Sequence, residues 1–352
     1  MKKLTAGIFA AVFVAALYAY NPPVSGEDLN FISSPSSLSG ANTVTGGALF
    51  NAKADSIIVN PALSAKEQRV NLDAGYTFLY STLKEYNAYN FGTAIQTGIL
   101  IPFKLYVFTG YLDFVSSPFY EMNLGNSFDF KAGLSKEISE KLDVGLSASG
   151  GVAWLNDNDW SLCANVGAVY HFGNLGFISD FRLGASALNL GKVYNKLSRI
   201  GIDRRYENGE FPTFPTFKIG VAGSLLDTEI VKIGLAFDFT TPCFQNLIVD
   251  MNAQIAFNKV FVISIGEKFN LVENLRGHYS PIPSVAVLFN FNFNVRNNQY
   301  LENNGWSESE MRISTGYRNM YNTIHAVSAA VDVDLGMADE QPPEIVLWDN
   351  EE

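Results

Sequence analysis

Few residues in this chain are spaced for covalent chemistry. Its three histidines, His171, His278 and His325, lie far apart. GxSxG, HExxH, GxxxxGK[ST] and GxGxxG are all missing, so no nucleophile elbow, helical zinc site or phosphate loop can be read. A hydrolase would have to assemble Ser, His and an acid from separate elements. His171 is expected to face inward among polar residues and is the one candidate for that role; a solvated or hydrogen-bonded histidine is the plainer reading. Cys163 and Cys243 are the only cysteines. With no CxxC and no Cys/His cluster they read as free thiols rather than a bridge. Asn156-Asp157-Asn158-Asp159 could hold a cation, but Asn and Asp also build ordinary hairpin turns. The expectation is a protein that is not an enzyme and uses no metal or cofactor.

The more informative constellation is conformational. Thr45-Gly46-Gly47-Ala48-Leu49-Phe50 leads through Ala54-Asp55 to Asn60-Pro61-Ala62-Leu63. Paired glycines allow a tight backbone path that other residues resist. Ala48 to Ala54 is expected to make two helical turns. Pro61 fixes its own φ and biases Asn60 to an extended shape. This segment is too apolar to hang in water and too short to fold alone, so another element must house it.

That element is a wall of strands. From Val70 onward the chain alternates with period two. Val70, Leu72, Ala74, Tyr76, Phe78 and Tyr80 share one face, while Asn71, Asp73, Gly75, Thr77 and Ser81 share the other; Leu79 breaks the pattern. Successive strand side chains point to opposite faces, so each such run has an apolar and a polar side. Leu142 to Trp154 repeats this, and so does Ser284 to Val295, with an inward ladder of Asn290, Asn292 and Asn294. Fourteen runs occur between residues 70 and 336, most of them longer than the five or six residues typical of soluble strands. They match the roughly nine to eleven residues of a tilted membrane strand. Short links, such as Pro102 alone and Gly173-Asn174-Leu175, alternate with long ones, notably 115–127, 190–215 and 271–282. That alternation places the N-terminus and the short turns on the periplasmic side. It fails at the end of the chain, where 297–309 is long and 322–323 is short; either the former carries structure of its own or the last two strands pair differently. The expected fold is all-β: a fourteen-stranded antiparallel transmembrane β-barrel. An interior of that width cannot be filled by short inward side chains, which leaves room for residues 20–69 as an N-terminal hatch inside the lumen.

Bulk properties agree. Hydrophobic residues make up 47% of the 352 residues and charged residues only 17%, yet after residue 20 no apolar run is long enough for a spanning helix. The net charge of −11 comes without a basic stripe, which argues against a nucleic-acid partner. Lys2 and Lys3 followed by the apolar stretch Leu4 to Tyr20 read as a secretory signal, residues 1–19; an uncleaved anchor is the alternative. Aromatics near strand ends would suit the girdles at two membrane interfaces. The barrel is assigned to 70–336, and residues 337–352 read as an acidic periplasmic tail.

Gly46-Gly47-Ala48, Ala54-Asp55 and Asn60-Pro61-Ala62 together resemble the N-terminal hatch of the long-chain fatty-acid transporter family, the FadL type. Ala187-Leu188-Asn189-Leu190-Gly191-Lys192, Gly266-Glu267-Lys268-Phe269-Asn270-Leu271 and Pro342-Pro343-Glu344-Ile345 resemble an uncharacterised spirochaetal outer-membrane subgroup of it. The acidic tail departs from the enteric transporters. The resemblance implies an integral outer-membrane transporter that takes up hydrophobic molecules such as long-chain fatty acids, with outer-membrane lipids around it. It implies a gating hatch in which Gly46 and Gly47 hinge and Asp55, Asn60, Pro61 and Ala62 take part, and a ligand that leaves sideways through the wall. The other readings are a porin for small polar solutes and a secretion-associated barrel that docks a periplasmic protein partner.

Overall fold

The computed structural model describes residues 32–82, 91–117, 125–154, 158–192, 215–242, 244, 246–275, 277, 280–294, 308–320 and 322–335. The expected leader, the acidic tail, Cys243, His278, Asn156 and Asp157 lie outside the described residues. Fourteen strands follow one another: β1 (Val70–Ser81), β2 (Phe91–Pro102), β3 (Val107–Ser117), β4 (Gly125–Ser139), β5 (Leu142–Trp154), β6 (Asn158–Leu175), β7 (Ile178–Lys192), β8 (Thr216–Asp227), β9 (Val231–Pro242), β10 (Ile248–Phe257), β11 (Phe261–Asn270), β12 (Ser284–Asn294), β13 (Glu308–Met320) and β14 (Ile324–Leu335). Each pairs antiparallel with its neighbours in sequence, and β14 closes on β1 with Val70 opposite Leu335 and Ser81 opposite Ile324. A closed ring leaves no edge, so the wall's backbone groups are paired within the wall, as an apolar surrounding requires.

The pleat puts side chains where the alternation said it would. On β1, Asn71, Asp73, Thr77 and Ser81 are buried while Leu72, Tyr76, Phe78 and Tyr80 are exposed. This is the inverse of a water-soluble domain, whose apolar side chains go inside. A wall that shows Leu, Phe and Tyr outward and keeps Asn, Asp and Ser inward suits lipid outside and a polar filling.

The links sort by end. Residues 103–106, 140–141, 176–177, 228–230 and 258–260 join strands at one end; the links 82–90, 118–124, 193–215, 243–247 and 271–283 lie at the other, together with the short 155–157 and 321–323. The β2–β3 turn is longer than expected. Pro102 ends β2 opposite Val107, and the turn beyond it closes with Phe103 donating to the Tyr106 carbonyl. Gly173, Asn174 and Leu175 belong to β6, with Gly176 making the turn at positive φ. The last strands pair as simple neighbours: Met320 of β13 faces Ile324 of β14, so the link between β12 and β13 lies at the short-turn end despite its length.

Residues 32–69, which precede β1, occupy the lumen. Ile32 and Leu38 pack with Leu79, Ala94, Val115, Met320 and Ile324 near the long-loop end. That accounts for Leu79, the apolar residue on a polar face. β1 does start at the short-turn end, but the segment before it has already run through the barrel from the opposite end. Helix α1 (Pro35–Leu38) begins where Ser34 accepts the Ser37 N–H and Pro35 supplies a preset φ. A single 3₁₀ helix, Ala54–Ile58, follows. The two helical turns expected over Ala48 to Ala54 are not formed: the Lys53 N–H, which such a helix would direct at the Leu49 carbonyl, is bonded to the Ser56 hydroxyl at 3.1 Å, and the Asn51 N–H goes back to the Gly46 carbonyl.

Leu146, 63% exposed on β5, tests the facing. Leu146→Arg is expected to destabilise the barrel by about 2–4 kcal/mol, the scale for a cation on a lipid face. Ser161→Arg, on the lumenal face, should cost far less. Chemical unfolding in lipid vesicles reads both.

Candidate functional site: a plug held by the barrel wall

With almost no regular secondary structure, the lumenal segment cannot satisfy all of its own backbone groups. Buried N–H and C=O groups need partners, and side chains from the wall supply many of them. Arg182 on β7, fully buried, donates from Nε to the Thr45 carbonyl at 2.8 Å and from Nη2 to the Gly47 carbonyl. Its Nη1 pairs with Asp180 at 2.6 Å. Asp238 on β9 accepts the Val44 N–H at 2.7 Å. Ser186 donates to the Val59 carbonyl at 2.7 Å and Asn252 to the Ser39 carbonyl at 3.0 Å.

The glycine pair sits at the centre of these contacts. Gly46 and Gly47 have φ of 87° and 94°, the left-handed region where a side chain is strained. The turn they make aims the Thr45 and Gly47 carbonyls at one guanidinium. Asn60 is wholly buried and ties three pieces together. Its Nδ2 donates to the Val44 carbonyl at 2.7 Å and to the Ala168 carbonyl of β6 at 3.2 Å, and its Oδ1 accepts the Ala62 N–H at 3.0 Å. Pro61 lies against Gly145 and Gly167. Ala62 joins Ile57, Ile58, Val59, Leu63, Tyr111 and Val169 in an apolar cluster with Phe50 against it. Asp55 accepts the hydroxyls of Ser34 and Ser36 at 2.8 and 2.7 Å and so binds α1 to the 3₁₀ turn. The six residues singled out in the sequence are therefore all in the plug. Gly46, Gly47 and Asn60 meet at the Thr43–Gly47 turn, and Asp55 stands apart from them.

Clearance comes from glycines that line the wall. On ten strands an inward-facing glycine is in contact with the plug, and a Cβ would collide at most of them. At Gly145 it would fall 2.3 Å from the Pro61 carbonyl, at Gly184 2.3 Å from the Val44 oxygen and at Gly266 2.0 Å from the Ser39 oxygen. A recurring small residue on the polar face of successive strands is the sequence signal for this groove.

Sequence reasoning missed the charged face of the plug. Lys53 bonds Asp332 of β14 at 2.7 Å. Arg312 of β13 bridges Asp332 and Asp334 and donates to Asn51 at 2.9 Å. Arg69 reaches Asp334 at 2.8 Å and Glu310 at 3.0 Å. Removing one member of such a buried set strands its partner and costs roughly 3–5 kcal/mol. Burial opposes the Lys53 ammonium, but the carboxylates of Asp332, Asp55 and Asp73 outweigh both burial and the nearby Arg312, and its pKa lies above the ordinary lysine value.

His171 faces inward as expected. Its Nε2 lies 2.7 Å from Asp143 and its ring packs edge-on against Phe50, while Arg182 covers the Phe50 ring at 5.2 Å. This is a structural place in the packing. Cys163 is a buried thiol directed at the Lys192 carbonyl. Asn290 donates to Glu310, and Asn292 is exposed.

No family model matches the sequence, and neither does any curated protein. Among solved structures the chain is similar to the toluene transporter TbuX of Ralstonia pickettii, with a TM-score of 0.55 and 11% identity over 89% of this chain and 100% of that one. It is also similar to CymD, a monoaromatic hydrocarbon channel, with a TM-score of 0.53 and 12% identity over 89% and 100%. The toluene transporter TodX of Pseudomonas putida gives a TM-score of 0.50 and 12% identity over 80% and 93%. The likeness is one of fold. It covers 93% or more of each of those chains and agrees with the strand count.

Two outcomes follow from these contacts. Gly145→Val and Arg182→Ala should each dislodge the plug while the barrel stays folded, seen as faster proteolysis between residues 32 and 69 with unchanged β-sheet circular dichroism. Because the Lys53 pKa is raised in the folded state, its contribution is complete below roughly pH 10.4. It is lost as pH rises through the higher folded value, so plug proteolysis in the parent protein should accelerate as pH rises through that alkaline range.

Proposed function

We propose that this protein is an outer-membrane transporter for hydrophobic molecules, with residues 20–69 as its gate and residues 70–336 as the surrounding wall. The observation that carries the reading is how the plug is held. It lies inside the lumen, yet its described residues share no β-ladder with the wall and are tied by individual side chains that can let go. An open pore for small polar solutes would not need such a filling. The solved barrels of similar fold are described as toluene transporters and a monoaromatic hydrocarbon channel, which supports a hydrophobic cargo. Long-chain fatty acids, suggested by the hatch-like residues, are the other member of that cargo class. In this reading Gly46 and Gly47 are the hinge. Asn60, Pro61 and Ala62 are the catch that Val44 and β6 receive, and Asp55 keeps the outer part of the plug folded as it moves.

Locking the plug tests this. Ser33 bonds Asp113 at 2.7 Å near the long-loop end, and Ser64 bonds Ser135 at 2.8 Å on the other side of the plug. Cysteine pairs at these two sites, in a Cys163→Ser, Cys243→Ser background, should abolish uptake of radiolabelled toluene and oleate when oxidised and restore it on reduction. The unlocked protein should be nearly silent in planar bilayers. Undiminished uptake with both locks closed, or a large steady conductance in the parent protein, would sink the gate.

A further inference from the structure

Between the plug and the wall lies a cavity of about 50 Å³, bounded by the plug on one side and by β10 to β13 on the other. Its lining is mixed. Leu49 of the plug meets Val262 and Ala286 of the wall, and Lys53, Asn51 and Ser314 bring hydrogen-bond donors to the same space. The protein does not use these donors up. The Lys53 ammonium has three N–H groups and bonds Asp332 with one of them, at 2.7 Å. Asn51 accepts from Arg312 through its side-chain oxygen, and its amide nitrogen has no partner among the described residues. The Ser314 hydroxyl has none either.

Charge and polarity narrow the occupant. An anion would gain the ammonium but would also meet Asp55 in the same lining and Asp332 bonded to Lys53. A cation would meet Lys53. A hydrocarbon would leave the Asn51 and Ser314 donors facing apolar matter, where an unmet polar group is costly. A small neutral molecule that both accepts and donates satisfies every group. Water is that molecule, and at about 10–15 Å³ apiece the space takes roughly three or four of them.

The place of this cavity gives the water a role. At rest the Lys53–Asp332 contact is buried and fixes the plug against β14, while Arg312 of β13 reaches Asn51. Breaking such a contact in a dry interior strands a charge. A water already bonded to Lys53 and Asn51 can take the place of the departing partner, since a water-mediated hydrogen bond is nearly as good as a direct one. The plug's other face, where Ile57, Val59 and Leu63 pack with Tyr111, needs no substitute because apolar contact has no direction.

We propose that this cavity is a hydration site, in which water bonded to Lys53, Asn51 and Ser314 eases the release of the plug's charged face from β13 and β14. The presence of the water is independent of the transporter reading; its part in opening rests on the plug being the gate.

The test uses the full chain folded in lipid vesicles. Millisecond X-ray radiolysis turns water into hydroxyl radicals where it is held, and the radicals oxidise neighbouring side chains. Leu49 should be oxidised several-fold faster than Phe50, which is likewise half-buried but packs against the apolar cluster. Ala286→Leu fills the cavity from β12 and Ser314→Val removes a donor from β13, so that one variant can stand if the other does not fold. Heat-modifiable migration on gels reports folding. In either variant Leu49 oxidation should fall, and proteolysis between residues 32 and 69 should slow several-fold together with toluene uptake. Leu49 oxidised no faster than Phe50 in the parent overturns the hydration site. Folded variants whose plug is cleaved as fast as in the parent, or faster, overturn its role in release. Slower cleavage with undiminished uptake leaves the water in place and overturns the gate reading instead.

Discussion

A strand of backbone buried without a ladder must find its hydrogen-bond partners elsewhere, and the interior of this barrel is organised around that requirement. The described part of the plug, residues 32–69, crosses the lumen with one short α-helix and one 3₁₀ turn. Some of its remaining amides and carbonyls close turns within the plug; others face the wall, where Arg182, Ser186, Asp238, Asn252 and Gln254 meet them. Leaving such a group unmet costs about 1–3 kcal/mol, so several at once would exceed what a small apolar segment could offset. Glycines make the same contacts possible from the steric side, since a hydrogen bond to backbone demands an approach that a Cβ would block.

The plug is two-faced, and the faces differ in kind. Toward β3 and β6 it presents Ile57, Ile58, Val59, Ala62 and Leu63, which pack with Tyr111 and Val169. Apolar contact of this sort has no direction and tolerates sliding. Toward β13 and β14 it presents Lys53 and Asn51, which meet Asp332 and Arg312 at fixed geometry. Charge pairs in a dry setting are strongly distance-dependent, so this face holds the plug in one register. A segment that must stay put and still be able to leave needs both: many weak contacts for stability and a few strong ones that set its position.

Wall and filling also divide the burden of polarity. Outward, β1 shows Leu72, Tyr76, Phe78 and Tyr80, and its inward Asn71, Asp73 and Thr77 would be poor neighbours for lipid. Inward, those groups find partners in the plug or on adjacent strands: Asn71 with Asp334, Thr77 with Ser328 and Asp73 with Gln96. Leu79 and its cluster with Ile32 and Leu38 show the converse. Where the plug is apolar, the wall gives up its polar face.

The alternation along each strand was legible from the residues alone, because the pleat sends successive side chains to opposite faces whatever surrounds them. From that came the barrel, the facing of nearly every strand residue and the need for something inside. Asn60-Pro61-Ala62 and Gly46-Gly47 could be picked out because Pro and Gly restrict or free the backbone locally. What only the tertiary structure decided is which wall residue meets which part of the plug. Arg182 lies 137 residues beyond Thr45, and Asp332 lies 279 beyond Lys53. Nothing near either residue in the chain marks its partner. The missing helix over Ala48 to Ala54 has a partly local origin: the Lys53 N–H is taken by the Ser56 hydroxyl at the start of the 3₁₀ turn, while the Leu49 N–H goes to Gln254 of β10, a strand brought alongside only when the ring closes.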